Sequence, residues 1–92
     1  MTDLNYPNPF NPSTVISYSL LNNSNVRLKL YDMLGKEITT LVDSFQKRGL
    51  YDVTLNMNNY NLSSGIYFYT IIANESNSNQ IFKETRVMNY IK

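Results

Sequence analysis

The chain predicts an all-β fold: an antiparallel sandwich in a single domain. Three observations carry that expectation. Segments of alternating apolar and polar residues recur about every ten residues. Clusters of Asn, Asp, Ser and Gly separate them, as turns require. Nowhere does helical periodicity exceed one turn. At 92 residues, 42% of them apolar, the chain can bury one modest core and no more.

Residues 1–4 read as a tail or the end of a linker. A stiff lead-in follows over residues 5–13, where Pro7, Pro9 and Pro12 fix φ and lack an N–H, excluding helix and central strand. Each proline also holds the residue before it extended. Phe10, a large aromatic within this rigid coil, is expected to plug an end of the core. The first strand covers residues 14–20, with Ile16, Tyr18 and Leu20 facing inward. Asn22, Asn23, Ser24 and Asn25 form a turn, and the second strand, residues 26–31, points Val26, Leu28 and Leu30 to one face. So short a loop predicts that these two strands pair as an antiparallel hairpin.

Asp32-Met33-Leu34-Gly35 is the clearest turn. Asp32 can accept from the backbone two residues on, and Gly35 can take a positive φ. A Ca²⁺-ligating role for Asp32 would need further carboxylates that the loop lacks. Residues 36–42 read as the third strand with Ile38 inward, and residues 43–48 as a loop. Leu41, Val42 and Phe45 ahead of Gly49 suggest at most one glycine-capped helical turn. The pair Lys47-Arg48 reads as a solvated tip in preference to a contact site. The fourth strand, residues 50–56, places Tyr51, Val53 and Leu55 on one face. An Asn-rich loop over residues 56–61 leads to a second glycine turn at Gly65. Residues 66–73 are the longest apolar run and predict a central strand buried on both faces. Tyr67-Phe68-Tyr69 offers a stacking platform as the sharper alternative, although alternation allows at most two of the rings on one face. Residues 74–79 form a polar hairpin loop, and residues 80–92 the final strand region. A further strand is expected either from the lead-in or from a break near Met88.

The chemistry available is sparse. Net charge is +1, with 8 basic and 7 acidic residues, which gives no footprint for nucleic acid. The chain has no Cys and no His, removing disulfides and imidazole acid–base work. No serine has a base to activate it. Asp3, Asp32, Glu37, Asp43, Asp52, Glu75 and Glu84 are isolated in sequence, and the glycines are single, so neither a carboxylate dyad nor a phosphate cradle is indicated. The expectation is therefore no enzyme, no cofactor, no metal and no small-molecule substrate. No apolar run approaches the ~20 residues that span a bilayer. Sequons at Asn22, Asn61 and Asn74 are near chance in so Asn-rich a chain. No signal peptide begins at Met1, so the chain is expected to be part of a longer protein whose export signal lies outside it.

Several motifs in series carry a family resemblance. NPFNPST followed by I-x-Y-x-L, then VRLKLYDMLGKEI, then the lone Gly49 with its strand, then NLSSGIYFYTI and a basic segment ending at Lys92, resemble the type A C-terminal sorting domain of the type IX secretion system. The resemblance runs over residues 5–92. It implies an immunoglobulin-like sandwich of about seven strands, carried at the C-terminus of proteins exported by Bacteroidetes-type bacteria. It implies passage through the periplasm and display at the cell surface or release outside. The partners it implies are the outer-membrane translocon, a shuttle protein, and a sortase-like peptidase that cuts upstream of residue 5. Carried over residue by residue, its recognition segment falls on Thr85, Arg86, Val87, Met88, Asn89, Tyr90, Ile91 and Lys92. Arg86, Met88, Ile91 and Lys92 keep the family pattern. Val87 stands where a second basic residue is usual, and Asn89-Tyr90 where aliphatic residues are. A different class of function, an immunoglobulin-like accessory domain for carbohydrate or surface adhesion, predicts instead an exposed aromatic patch drawn from Tyr51, Tyr60, Tyr67 and Tyr69.

Overall fold

The computed structural model describes residues 13–91. Pro7, Pro9, Phe10, Pro12 and Lys92 lie outside the described residues, and with them the expected plugging role of Phe10. Six strands follow in order: β1 (Ser13–Leu20), β2 (Ser24–Tyr31), β3 (Glu37–Gln46), β4 (Gly49–Asn56), β5 (Gly65–Glu75) and β6 (Ile81–Tyr90). They form two antiparallel sheets, β1-β4 and β3-β2-β5-β6. The chain changes sheet between β1 and β2, β3 and β4, and β4 and β5, which is the Greek-key connectivity of an immunoglobulin-like sandwich.

Alternation builds the core as the sequence predicts. Ile16 and Leu20 of β1 and Leu55 of β4 meet Val26, Leu28 and Leu30 of β2, Tyr67, Tyr69, Ile71 and Ala73 of β5, and Met88 and Tyr90 of β6 in one buried cluster. Tyr18, Tyr51 and Val53 pack against its margin, as does Ile38 of β3. Tyr18 and Tyr51 sit directly opposite each other across β1 and β4 and stack with ring centroids 5.4 Å apart.

Four expectations are corrected. First, β1 and β2 are not a hairpin. β1 pairs with β4, while β2 is held between β3 and β5. With both edges of β2 occupied, β1 must cross to the facing layer. Second, residues 43–46 are not loop. They continue β3, with Asp43 opposite Arg27 and Phe45 opposite Asn25. The backbone ladder to β2 holds this polar stretch in strand although it buries little. Two register shifts along β2–β3, between Leu28 and Lys29 and between Leu30 and Tyr31, leave Leu41 and Ile38 as the extra residues. Bulges of this kind erase the period-two pattern. Third, β5 is fully buried on one face and only partly on the other. On the outer face Thr70 is buried, Phe68 and Ile72 are half-buried and Ile66 is 41% exposed. Fourth, β6 runs unbroken through Met88, so no additional strand starts there.

The Asn-rich connection after β4 contains a short 3₁₀ turn, Met57–Tyr60. The Asn56 side chain accepts from the Asn58 N–H, and Asn61 closes the turn in the left-handed region at φ 52°. This turn drives Met57 into full burial.

Candidate functional site

The terminal strand is the part of the molecule that sequence reasoning singles out. Within it, alternation divides the residues by role. Met88 and Tyr90 face inward and are 1% and 3% exposed. The Tyr90 ring meets Tyr67 edge to face, with centroids 6.4 Å apart. Thr85 and Val87 lie on the outer face. Thr85 Oγ1 shares a hydrogen bond of 3.0 Å with Thr70 Oγ1 directly across the ladder. Val87, opposite Phe68, is 54% exposed. Arg86 is exposed and ion-paired with Glu84 on the same face of the strand. A hydrogen bond of 2.6 Å from Arg86 Nε to Glu84 Oε2 holds the guanidinium further into the charged form. Ile91 is 53% exposed beyond the strand end. The segment thus combines two core anchors with an accessible set, Thr85, Arg86, Val87 and Ile91, while Lys92 lies outside the described residues.

The backbone of β6 adds a second feature. Among the described residues, β6 pairs with β5 alone. The opposite edge of the same sheet, β3, carries the two bulges. Bulges blunt an edge against strand addition. β6 has no register shift over its ten-residue ladder with β5. The difference between the edges could not be read from the sequence, because bulges appear only once pairing is known.

The motif turns behave as their residue types predict. Asp32 Oδ1 accepts from the N–H groups of Leu34 and Lys36, both at 2.9 Å, and the Asp32 carbonyl accepts from the Gly35 N–H at 3.0 Å. Gly35 sits at φ 87°. The Asp32 carboxylate is therefore occupied in closing its own turn. Gly49 and Gly65, also at positive φ, begin β4 and β5 where the chain enters a new sheet.

The aromatic platform is not formed. Tyr67 and Tyr69 are buried in the core, and Phe68 points to the opposite face. Tyr51 is engaged by Tyr18 and donates its hydroxyl to the Lys47 carbonyl, and Tyr60 packs against the core. Burial raises the Tyr69 phenol above its usual range, and raises Tyr18 likewise despite a 2.6 Å hydrogen bond from its hydroxyl to Gln46 Oε1.

A polar hollow of about 310 Å³ lies at one end of the sandwich, lined by Asn22, Asn23, Arg48, Glu75, Asn77 and Ser78. Its groups mostly satisfy one another. Asn22 Nδ2 donates to Glu75 Oε2 at 2.9 Å, the Arg48 N–H donates to Asn23 Oδ1 at 2.9 Å, and Ser78 Oγ donates to Glu75 Oε1 at 3.1 Å. Sequence reasoning took these segments as separate turns; the hydrogen bonds tie three loops together. Among the described residues, no group of three or more potential metal-ligating side chains comes together.

The described residues form a small immunoglobulin-like sandwich. The chain belongs to the secretion system C-terminal sorting domain family, whose model matches residues 5–84. Domains of this family are sorting signals for type IX secretion and are generally non-catalytic. They imply interaction with the secretion machinery and export to the cell surface or extracellular space. The match stops just before Thr85, so the terminal segment is outside it. Comparisons with curated proteins and with solved structures give no match. No helix of the described residues is long and apolar enough to cross a membrane.

Proposed function

We propose that this domain is a non-catalytic address, read by the type IX outer-membrane translocon and its shuttle protein through the terminal strand. The observation that supports this most directly is β6 itself: among the described residues it pairs with β5 alone, and Thr85, Arg86, Val87 and Ile91 on or just beyond it are exposed. A receptor strand added beside it would gain main-chain hydrogen bonds and read alternate side chains. In this reading Met88 and Tyr90 hold the strand in place from the core side, and Lys92 completes the basic end. Cargo passes through the periplasm, and a sortase-like peptidase then separates it upstream of residue 5.

The test is a fusion of a periplasm-directed fluorescent protein to residues 1–92 in a bacterium with a working type IX system. Deleting residues 87–92 alone is ambiguous, because it also removes the buried Met88 and Tyr90. A second variant, Arg86→Glu with Val87→Asp and Ile91→Asp, changes only exposed positions. The intact fusion is expected at the surface or in the medium. The triple variant is expected to stay periplasmic while remaining folded by circular dichroism. Export of the triple variant at the parent level would overturn recognition by these side chains. Retention of the intact, folded fusion would overturn the sorting role in that host.

A further inference from the structure

We infer that the receptor of the terminal strand also grips the turn between β2 and β3, burying Met33 and Leu34; this rests on the sorting reading above and adds a second part to its contact surface. The chemistry of that turn is unusual. Turn tips ordinarily carry Gly, Asn, Asp, Ser or Pro. Elsewhere the connections of the described residues expose mainly Asn, Ser, Lys and Arg. This one exposes two apolar side chains in succession, Met33 at 63% and Leu34 at 91%, the highest value of any large apolar residue described. They stand on a fixed support. Asp32 Oδ1 accepts from the N–H groups of Leu34 and Lys36, and the Gly35 N–H donates to the Asp32 carbonyl. An apolar tip held in this way binds with little ordering cost.

Position connects the turn to the terminal segment. Gly65 lies opposite Tyr90, so Ile91 leaves β6 beside the start of β5. Between the start of β5 and the turn lies a hollow of about 280 Å³, lined by Met33, Leu34 and Ile66 together with Ser63 and Gly65. On the outer face of the sheet, Val87, Phe68 and Tyr31 form one cross-strand row, and Ile66 stands two residues from Phe68 on the same face. That row spans two strand spacings, ~10 Å. Exposed and half-buried apolar surface thus runs from Val87 and Ile91 through Phe68, Ile66 and Tyr31 to the turn. Along the sheet in the other direction, the next rows are Lys29-Thr70-Thr85 and Arg27-Ile72-Lys83, polar and cationic. Leu21 and Leu50 are nearly as exposed as Leu34, but they lie at the other end of the strands, near Leu20 and Gly49.

A standard interface takes ~800 Å² from each partner, more than four exposed side chains on one strand supply. The partner that fits this surface is a receptor with apolar groups beside its β6 site, one to enter the hollow and a recess to take Leu34.

Met33→Ser/Leu34→Ser removes the apolar tip and keeps residue types that suit a turn. In the fluorescent fusion described above, export of this variant is expected to fall at least about tenfold. Met33→Leu/Leu34→Met keeps the apolar surface and is expected to export at the parent level. Both side chains are exposed, so the melting temperature of the serine variant is expected within about 3 °C of the parent. Parent-level export of the serine variant overturns this inference; the sorting reading stands if the Arg86→Glu/Val87→Asp/Ile91→Asp variant is retained. Retention of the intact, folded fusion overturns both. A larger fall in melting temperature also overturns the inference, because the tip is then covered by the chain itself. So does sedimentation equilibrium in which the parent domain dimerises at about 100 μM and the serine variant does not, because a second copy is then the occupant.

Discussion

At the scale of single residues, the turn at Asp32 shows most clearly how a side chain fixes local structure. One carboxylate oxygen accepts two backbone N–H groups that would otherwise turn to solvent. Asp32→Ala is expected to cost about 1–2 kcal/mol of unfolding free energy in urea titration, and Asp32→Asn less, because an amide oxygen can still accept. Gly35→Ala is expected to cost about 1 kcal/mol by a different route. A Cβ there meets nothing within 4 Å, so the cost comes from φ 87° alone. This turn was legible in full, because Asx chemistry and positive φ are properties of residue types. Met57 was not. It sits among asparagines, and only the 3₁₀ turn between Asn56 and Asn61 gives it an inward direction.

At the scale of elements, legibility depended on whether one face alone decided the pattern. β1, β2 and β4 each pack one face on the core, and their inward residues could be read from alternation. β3 could not be read past Val42, because its two bulges place Leu41 and Val42 side by side at half-burial and leave Phe45 52% exposed. Partner choice was the other illegible quantity. A short loop suggests a hairpin, yet β2 receives its neighbours from β3 and β5. Within β6 the same alternation separates folding from recognition. Tyr90→Ala removes a buried ring and its contact with Tyr67, and is expected to destabilise by about 3–5 kcal/mol. Val87→Ala, on the exposed face, is expected to stay within about 0.5 kcal/mol of the parent. Chemical denaturation of the two variants checks the division. Equal destabilisation would mean that Val87 is held by packing and is not available to a partner.

At the scale of the whole molecule, stability rests on one core and two sheets, with no disulfide and no metal cluster among the described residues. Its pH dependence follows from the groups that fold into altered surroundings. The absence of His and Cys leaves no side chain that ordinarily titrates between about pH 5 and 9, so a plateau is expected there. On the acid side, hydrogen bonds from Lys29 and Thr40 hold the Glu37 carboxyl below its usual value. A lowered folded value contributes stability above the unfolded pKa and loses it as pH falls. Glu37 is exposed, so this loss is shallow. On the alkaline side, burial raises Tyr18 and Tyr69. A raised folded value leaves stability intact below the unfolded pKa of about 10 and removes it as pH climbs toward the folded one. Calorimetric melting temperatures from pH 3 to pH 11.5 are therefore expected to be flat near neutrality and to fall most steeply above about pH 10. Tyr69→Phe cannot ionise and is expected to soften that alkaline fall without moving the plateau. An alkaline limb identical in the variant and the parent would mean that the buried Tyr69 phenol does not set the upper limit of the fold.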